Sequence, residues 1–304
     1  MKLIKEGIYQ ATREKPTVIN KNIFNNLKKS ASKIDRFRSR ILYHSSLSSN
    51  PQHMFICFDN RSLVPVSFHS FSESFLIIEG IAHYKFYDKK GNVSHDIRLS
   101  PASLGGIFYV FISPQIPHRF FALTKHVLAN EVGHSHFSPE FTQYGKGKIF
   151  SKADKLTSAQ MAKQLLVKNS NTKIKMKKKG YYSVESSSGV AELSSVEVLS
   201  ILKENTSPVC FYPSSKMIGV KNSKEEMIEQ IWAIQPKKKL QIIMKNTMIH
   251  IINGEAKIKL DNKNIILGLK KNFALGPINK SKITVENISD QPLLFHITNE
   301  KKSS

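Results

Sequence analysis

The sequence predicts an all-β protein: two jelly-roll barrels (double-stranded β-helices) in tandem, with a short N-terminal helix and a polar linker. Three observations predict it. Short apolar runs recur along both halves, turn residues separate them at regular intervals, and one segment of the first half recurs in the second.

The runs in the first half are Met54–Phe58, Ser74–Ile78, Ile81–Tyr87, Val93–Leu99, Ile107–Ile112, His118–Leu123 and Val127–Val132. Asp59-Asn60, Gly80, Lys89-Lys90-Gly91, Ser100-Pro101, Ser113-Pro114 and Thr124-Lys125 punctuate them. Runs this short, with no helical spacing between them, favour a sandwich or barrel over alternating strands and helices. The second half offers Gln241–Met244, Met248–Ile252, Ala256–Leu260, Ile265–Leu269, Ile283–Asn287 and Leu293–Thr298. The repeat aligns Ile77-Ile78-Glu79-Gly80 with Ile251-Ile252-Asn253-Gly254, and Ser113-Pro114 with Gly276-Pro277. A repeat this long implies a duplicated domain. Ahead of the first barrel, Ile23, Phe24, Leu27 and Ala31 have helical spacing, and Asn20 can cap a helix over 21–33. Residues 151–205 read as a Lys/Ser-rich linker with one short helix, Met161, Leu165 and Leu166 forming its apolar stripe. The expected domains are therefore 1–150 and 206–304.

A length of 304 residues suits two domains, and 40% hydrophobic with 23% charged residues is a globular composition. The apolar runs are too short to cross a bilayer, and Glu6 and Gly7 interrupt what would be a signal-peptide core, so a cytoplasmic protein is expected. The net charge of +23 raises the question of nucleic acid. Lysine carries most of it, spread along the chain, and the densest run, Lys173 to Lys179, has no aromatic residues for base stacking, so no nucleic-acid site is expected. An anionic small partner stays open. Cys57 and Cys210, one in each half, read as small core residues.

The chemistry concentrates in the first half, which holds all seven arginines and nine of the eleven histidines. Glu73 lies seven residues before Gly80, and His118 lies on a later strand behind Ser113-Pro114. This is the spacing of the cupin signature, in which two histidines at i and i+2, a Glu and a third histidine bind a first-row metal. Here the first pair is altered. In one register His69 is the second ligand and Ser67 replaces the first; in the other, anchored on Pro65, Val66 and Phe68 take both places. A shift of one residue reverses the faces, and both registers are open.

The ordered series Leu27 to Ala31, Arg36-Phe37-Arg38-Ser39-Arg40, His44, Gln52-His53-Met54, Glu73-Ser74-Phe75, Ile78-Glu79-Gly80, Phe86 to Gly91, Pro117-His118 and Asn130 to Gly133 resembles the WbuC family of cupin-fold metalloproteins. The resemblance implies a cupin domain, a role in surface-polysaccharide (O-antigen or capsule) biosynthesis, and a metal at the histidines and Glu. Carried over, the metal set is His69, Glu73 and His118, and the ion is Fe, Mn, Ni or Zn, with the first cupin histidine absent. The second half resembles sugar-phosphate cupins more weakly. It has Thr247 at the position of Glu73 and Ser281 or Lys282 at that of His118, so a metal-free barrel is expected there, making the whole a bicupin.

Three functions follow. The first is a metal-assisted isomerase or epimerase of a sugar or sugar-nucleotide. The second is a metal-free isomerase with His118 as base and Tyr109 or Tyr84 as acid. The third is a sugar-binding or assembly protein without catalysis. A homodimer through barrel edges is open. His83 and His95 read as surface residues, His134-Ser135-His136 as loop, and Trp232 as core.

Overall fold

The computed structural model describes residues 2–11, 17–44, 49–135, 142–144, 172–177, 181–186, 188–202, 209–211, 229–244, 247–260, 265–270, 273–278 and 281–299. Helix 21–31 begins where Asn20 caps it, the Asn20 side chain accepting from the backbone N–H groups of Asn22 and Ile23. Phe24, Leu27 and Ala31 form its buried face, and that face packs on the outside of the first barrel.

A thirteen-stranded sheet curls into the first barrel. Its larger wall runs through Arg38–Leu42, Gln52–Asp59, His126–Gly133, Glu73–Glu79 and Ile107–Ile112. A parallel contact between Ile107 and Leu99 carries the sheet onto the smaller wall of Val93–Leu99, Ala82–Tyr87, His118–Ala122, Ser67–His69 and Thr142–Tyr144. Alternation then sorts the side chains. Ile56, Phe58, Phe75, Ile77, Tyr84, Phe86, Val110, Phe120 and Ala129 fill the barrel. Phe55, Cys57, Leu76, Ile78, Tyr109 and Leu128 face the other way and join Ile231, Met248, Ile252 and Leu294 in a core between the two halves.

The second half builds an eight-stranded and a four-stranded sheet around an apolar core that includes Ile249, Ile251, Ile258, Val285 and Phe295. The aligned glycines keep their equivalence. Gly80 and Gly254 both take positive φ, 85° and 87°, which a residue with a Cβ adopts only at a cost. Trp232 is half-buried, packing against this interior and stacking on Phe295.

Several expectations change. Within 151–205, read as linker, the described residues form strands Thr172–Lys177, Tyr181–Ser186 and Val190–Ser194 and helix Ser195–Leu202. Val190–Ser194 pairs with Ile107–Ile112 of the first barrel and buries Val190, Ala191 and Leu193, and Thr172–Lys177 starts the second barrel's larger sheet, so pairing into the sheets of both barrels orders short strands within this stretch. The linker helix expected near Met161, and His136, lie outside the described residues. Near the N-terminus, Thr17–Ile19 pairs with Ala274–Ile278 of the second barrel. His83 and His95 are buried, not surface residues. With Tyr84 and Phe86 turned inward, His83 faces out against Asp96, Nε2 to Oδ2 3.3 Å, while His95 stacks on Phe86. Among the described residues, no helix is long and apolar enough to cross a membrane.

Polar groups also bridge the halves. Glu229, wholly buried at the start of strand Glu229–Ile234, accepts from Ser74 Oγ at 2.7 Å and from His296 Nε2 at 2.7 Å, and lies 2.6 Å from His134 Nε2. Asn130 links His296 to His53. Burial pushes the Glu229 carboxyl up, but its hydrogen bonds and nearby imidazoles hold it far below the usual carboxylate range.

Candidate metal centre and its cavity

Short strand Ser67–His69 pairs with His118–Ala122 through Ser67 opposite His118, and with Thr142–Tyr144 on its other side. This register turns Ser67 and His69 into the barrel, while Val66 packs against Tyr87 and Val93. Glu73 enters from the facing wall, on the same side of its strand as Phe75 and Ile77. The ligating atoms of His69, Glu73 and His118 all lie within 4.8 Å of one another.

The two imidazoles present the same nitrogen to the carboxylate. His69 Nε2 is 3.5 Å from Glu73 Oε2 and His118 Nε2 is 2.7 Å from Oε1. Their opposite nitrogens are held from behind: His118 Nδ1 by the Ile116 carbonyl at 2.8 Å, and His69 Nδ1 by Thr142 Oγ1 at 3.0 Å. Such outer partners fix ring orientation and tautomer in metal sites. Buried Glu73 Oε1 has no aligned hydrogen bond despite its short distance to His118. Two imidazole nitrogens and a carboxylate converging in this way fit a first-row divalent ion with open positions.

Charge reinforces the convergence. Burial raises the Glu73 carboxyl, but the charges of His69 and His118 outweigh it and bring it down to about 2. Burial lowers His118, yet Glu73 and the Ile116 carbonyl lift it above the usual histidine value. His69 goes down, chiefly through burial.

These residues line a cavity of about 530 Å³. Glu131 also lines it, and burial raises its carboxyl to about 7 against the pull of Arg40 and Arg38. Sequence reasoning did not single out Glu131 as a site residue. Its signal was present in the alternation Val127, Ala129, Glu131, which places it on the barrel face.

Tyr109 is not brought to His118. Its Cα pairs with Leu76, so its wholly buried side chain faces the second half, with its ring 6.2 Å from His296 and its hydroxyl against Ser74 and Glu229. The role of acid beside His118 does not fit that position. Tyr84 does share the cavity, with its ring 5.8 Å from that of His118. His250 and His296, the histidines of the second half, face the first barrel and not their own barrel's interior.

Residues 19–99 match a family described as a domain of unknown function, DUF6016. No curated protein matches the chain. Among solved structures, salicylate 1,2-dioxygenase from Pseudaminobacter salicylatoxidans is similar at 11% identity, with 93% of this chain and 84% of that chain covered and a TM-score of 0.60. Oxalate decarboxylase from Bacillus subtilis overlaps more loosely, at 13% identity over 83% of this chain and 69% of that one, with a TM-score of 0.39. The chain has the fold of a tandem cupin.

Proposed function

We propose that the first barrel is a metal-assisted cupin site acting on a sugar or sugar-nucleotide intermediate of surface-polysaccharide biosynthesis, with the ion held by His69, Glu73 and His118. The observation that carries this reading is the convergence of three donors within 4.8 Å at the wall of a ligand-sized cavity. A divalent ion there supplies Lewis-acid polarisation of a carbonyl or hydroxyl, the chemistry of isomerisation and epimerisation. The chain's own residues would orient and protonate. The Ile116 carbonyl keeps His118 Nε2 aimed inward, and Glu131, at about 7, can hold or release a proton near neutral pH. The working domain is the first barrel, built chiefly from 1–150 and extended by Val190–Ser194, with the second barrel as its partner.

Ser67 favours a second reading. It occupies a position where a fourth donor would point into the barrel, and a site short of a ligand suits a sugar-binding or assembly protein that no longer catalyses. Metal analysis of chelator-treated, reloaded protein tests the first reading. Bound divalent ion should be stoichiometric in the wild type and lost in His118→Ala; retention by that variant, or no ion in either, would overturn it. Saturable sugar binding without turnover across a substrate panel would support the second.

A further inference from the structure

The cavity has a basic wall that the metal centre does not use. Arg38 and Arg40 lie two apart on strand Arg38–Leu42, Arg36 lies two residues ahead, and all three line the cavity. The alternate residues of the strand turn away: Ser39 donates to the Leu27 carbonyl of the helix, and Ile41 joins the core between the halves. Alternation along the strand therefore aims Arg38 and Arg40 into the barrel, where Gln52, Glu131 and the candidate metal centre share the lining.

Arginine on a cavity wall is commonly neutralised by a carboxylate, and Glu131 is the candidate here. Arg40 nevertheless forms no ion pair among the described residues, its guanidinium contact being Met54 Sδ at 3.9 Å. Glu131 behaves consistently: Arg40 lowers its carboxyl, but burial wins. A half-buried guanidinium that faces a cavity and forms no ion pair among the described residues has a planar fork suited to two oxygens of a carboxylate or phosphate.

We infer that this cavity recognises a small molecule carrying an oxyanion, carboxylate or phosphate, and that Arg40, with Arg38 beside it, holds the anionic group while the rest of the molecule reaches toward His69, Glu73 and His118. This rests on the proposal that the cavity is the working site. It sharpens that proposal by excluding an uncharged sugar as the preferred ligand. A sugar phosphate or nucleoside-diphosphate sugar satisfies it through phosphate, and a sugar acid or hydroxy acid through carboxylate.

Calorimetric titration of the full chain tests it with four probes: inorganic phosphate, UDP-glucose, gluconate and glucose. The expected result is that at least one anionic probe binds and glucose does not. Arg40→Gln should then weaken that binding by about tenfold or more, and Arg40→Lys by less, since a point charge replaces the fork. Circular dichroism of each variant separates misfolding from loss of the contact. Repeating the titrations on chelator-treated protein separates the two proposals, since the loss of anion binding in Arg40→Gln should appear with and without a divalent ion. Glucose binding as tightly as the anions, no anion binding at millimolar concentration, or anion binding unchanged in folded Arg40→Gln would each overturn the inference, whatever the metal analysis shows.

Discussion

Replacing Glu229 by Gln removes the one negative charge in the polar bridge between the halves while keeping the shape of the side chain. The carboxylate is wholly buried, with Ser74 Oγ at 2.7 Å and His296 Nε2 at 2.7 Å donating to it and His134 Nε2 at 2.6 Å. Breaking a buried charge pair from one side costs about 3–5 kcal/mol, because the partner imidazoles keep their burial and lose their counter-charge. With a urea m-value of roughly 3 kcal/mol/M, the midpoint should fall by about 1 M or more. Trp232 is the only tryptophan and stacks on Phe295, next to His296, so its fluorescence reports the strand that carries the bridge.

The pH profile of the same variant has a defined sign. The folded carboxyl lies below its ordinary value, so its stabilisation is complete above about pH 5 and disappears as pH falls through the ordinary carboxylate range toward the depressed folded value. Wild type should lose stability over that window and Glu229→Gln should not. A midpoint unchanged at pH 7, or an acid slope identical in both proteins, would refute the assignment of Glu229 as the charged centre of the bridge.

His250→Leu acts over a higher window. Burial lowers His250 from 6.5 to about 3, and both its ring nitrogens lack hydrogen bonds, so the folded state resists a proton that the unfolded chain accepts. Between those values wild-type stability should decline as pH falls, by up to roughly 4 kcal/mol, and the variant should be flatter by that amount in urea titrations from pH 7 to 4. Ser67→His places a third imidazole, the fourth donor of the set, opposite His118 and should tighten divalent-ion binding by about tenfold or more in competition with a chelator; unchanged affinity would count against the register described. Tyr109→Phe should leave metal content and ligand binding unchanged and lower stability by about 1 kcal/mol, whereas Tyr84→Phe should alter ligand binding, as calorimetry can read. Gly80→Ala should destabilise more than Gly254→Ala, since a Cβ at Gly80 collides with the His126 carbonyl oxygen while its nearest contact at Gly254 is 3.1 Å; equal losses on thermal unfolding would argue against the turn at Gly80.

The candidate metal centre was legible in the sequence up to one ambiguity. Glu73, Gly80 and His118 stand at fixed separations, and period-two alternation is enough to aim Glu73 and His118 at one interior. His69 was not decidable, because its direction depends on two partners remote in sequence: His118, opposite Ser67, and the strand around Thr142. Tyr109 was misread for a different reason. Ile107-Phe108-Tyr109-Val110-Phe111-Ile112 is apolar throughout, since both faces of its strand are buried, and a run without alternation does not say which side chain faces which core. The bridge was invisible in sequence because Ser74, Asn130, His134, Glu229 and His296 follow no spacing; only the packing of one barrel on the other brings them together.

The two clusters show what the duplication allows. Each barrel wall offers two faces, and the first barrel keeps polar residues on both: Glu73 and Glu131 inward, Ser74 and Asn130 outward. The second barrel keeps His250 and His296 on the face turned to its partner and packs its interior with Ile, Leu, Val and Phe. An apolar interior supplies packing energy that a cavity of about 530 Å³ lined by arginines, carboxylates and histidines cannot. Seen this way, the second barrel braces the wall on which the cavity depends. Ser74 adjoins Glu73 in the same strand and donates to Glu229, so the bridge fixes the backbone next to the carboxylate of the candidate metal centre. Loosening it should therefore weaken metal retention as well as stability. Chelator competition on Glu229→Gln at neutral pH measures that coupling, and an unchanged metal affinity in a destabilised but folded variant would show that the two clusters are independent.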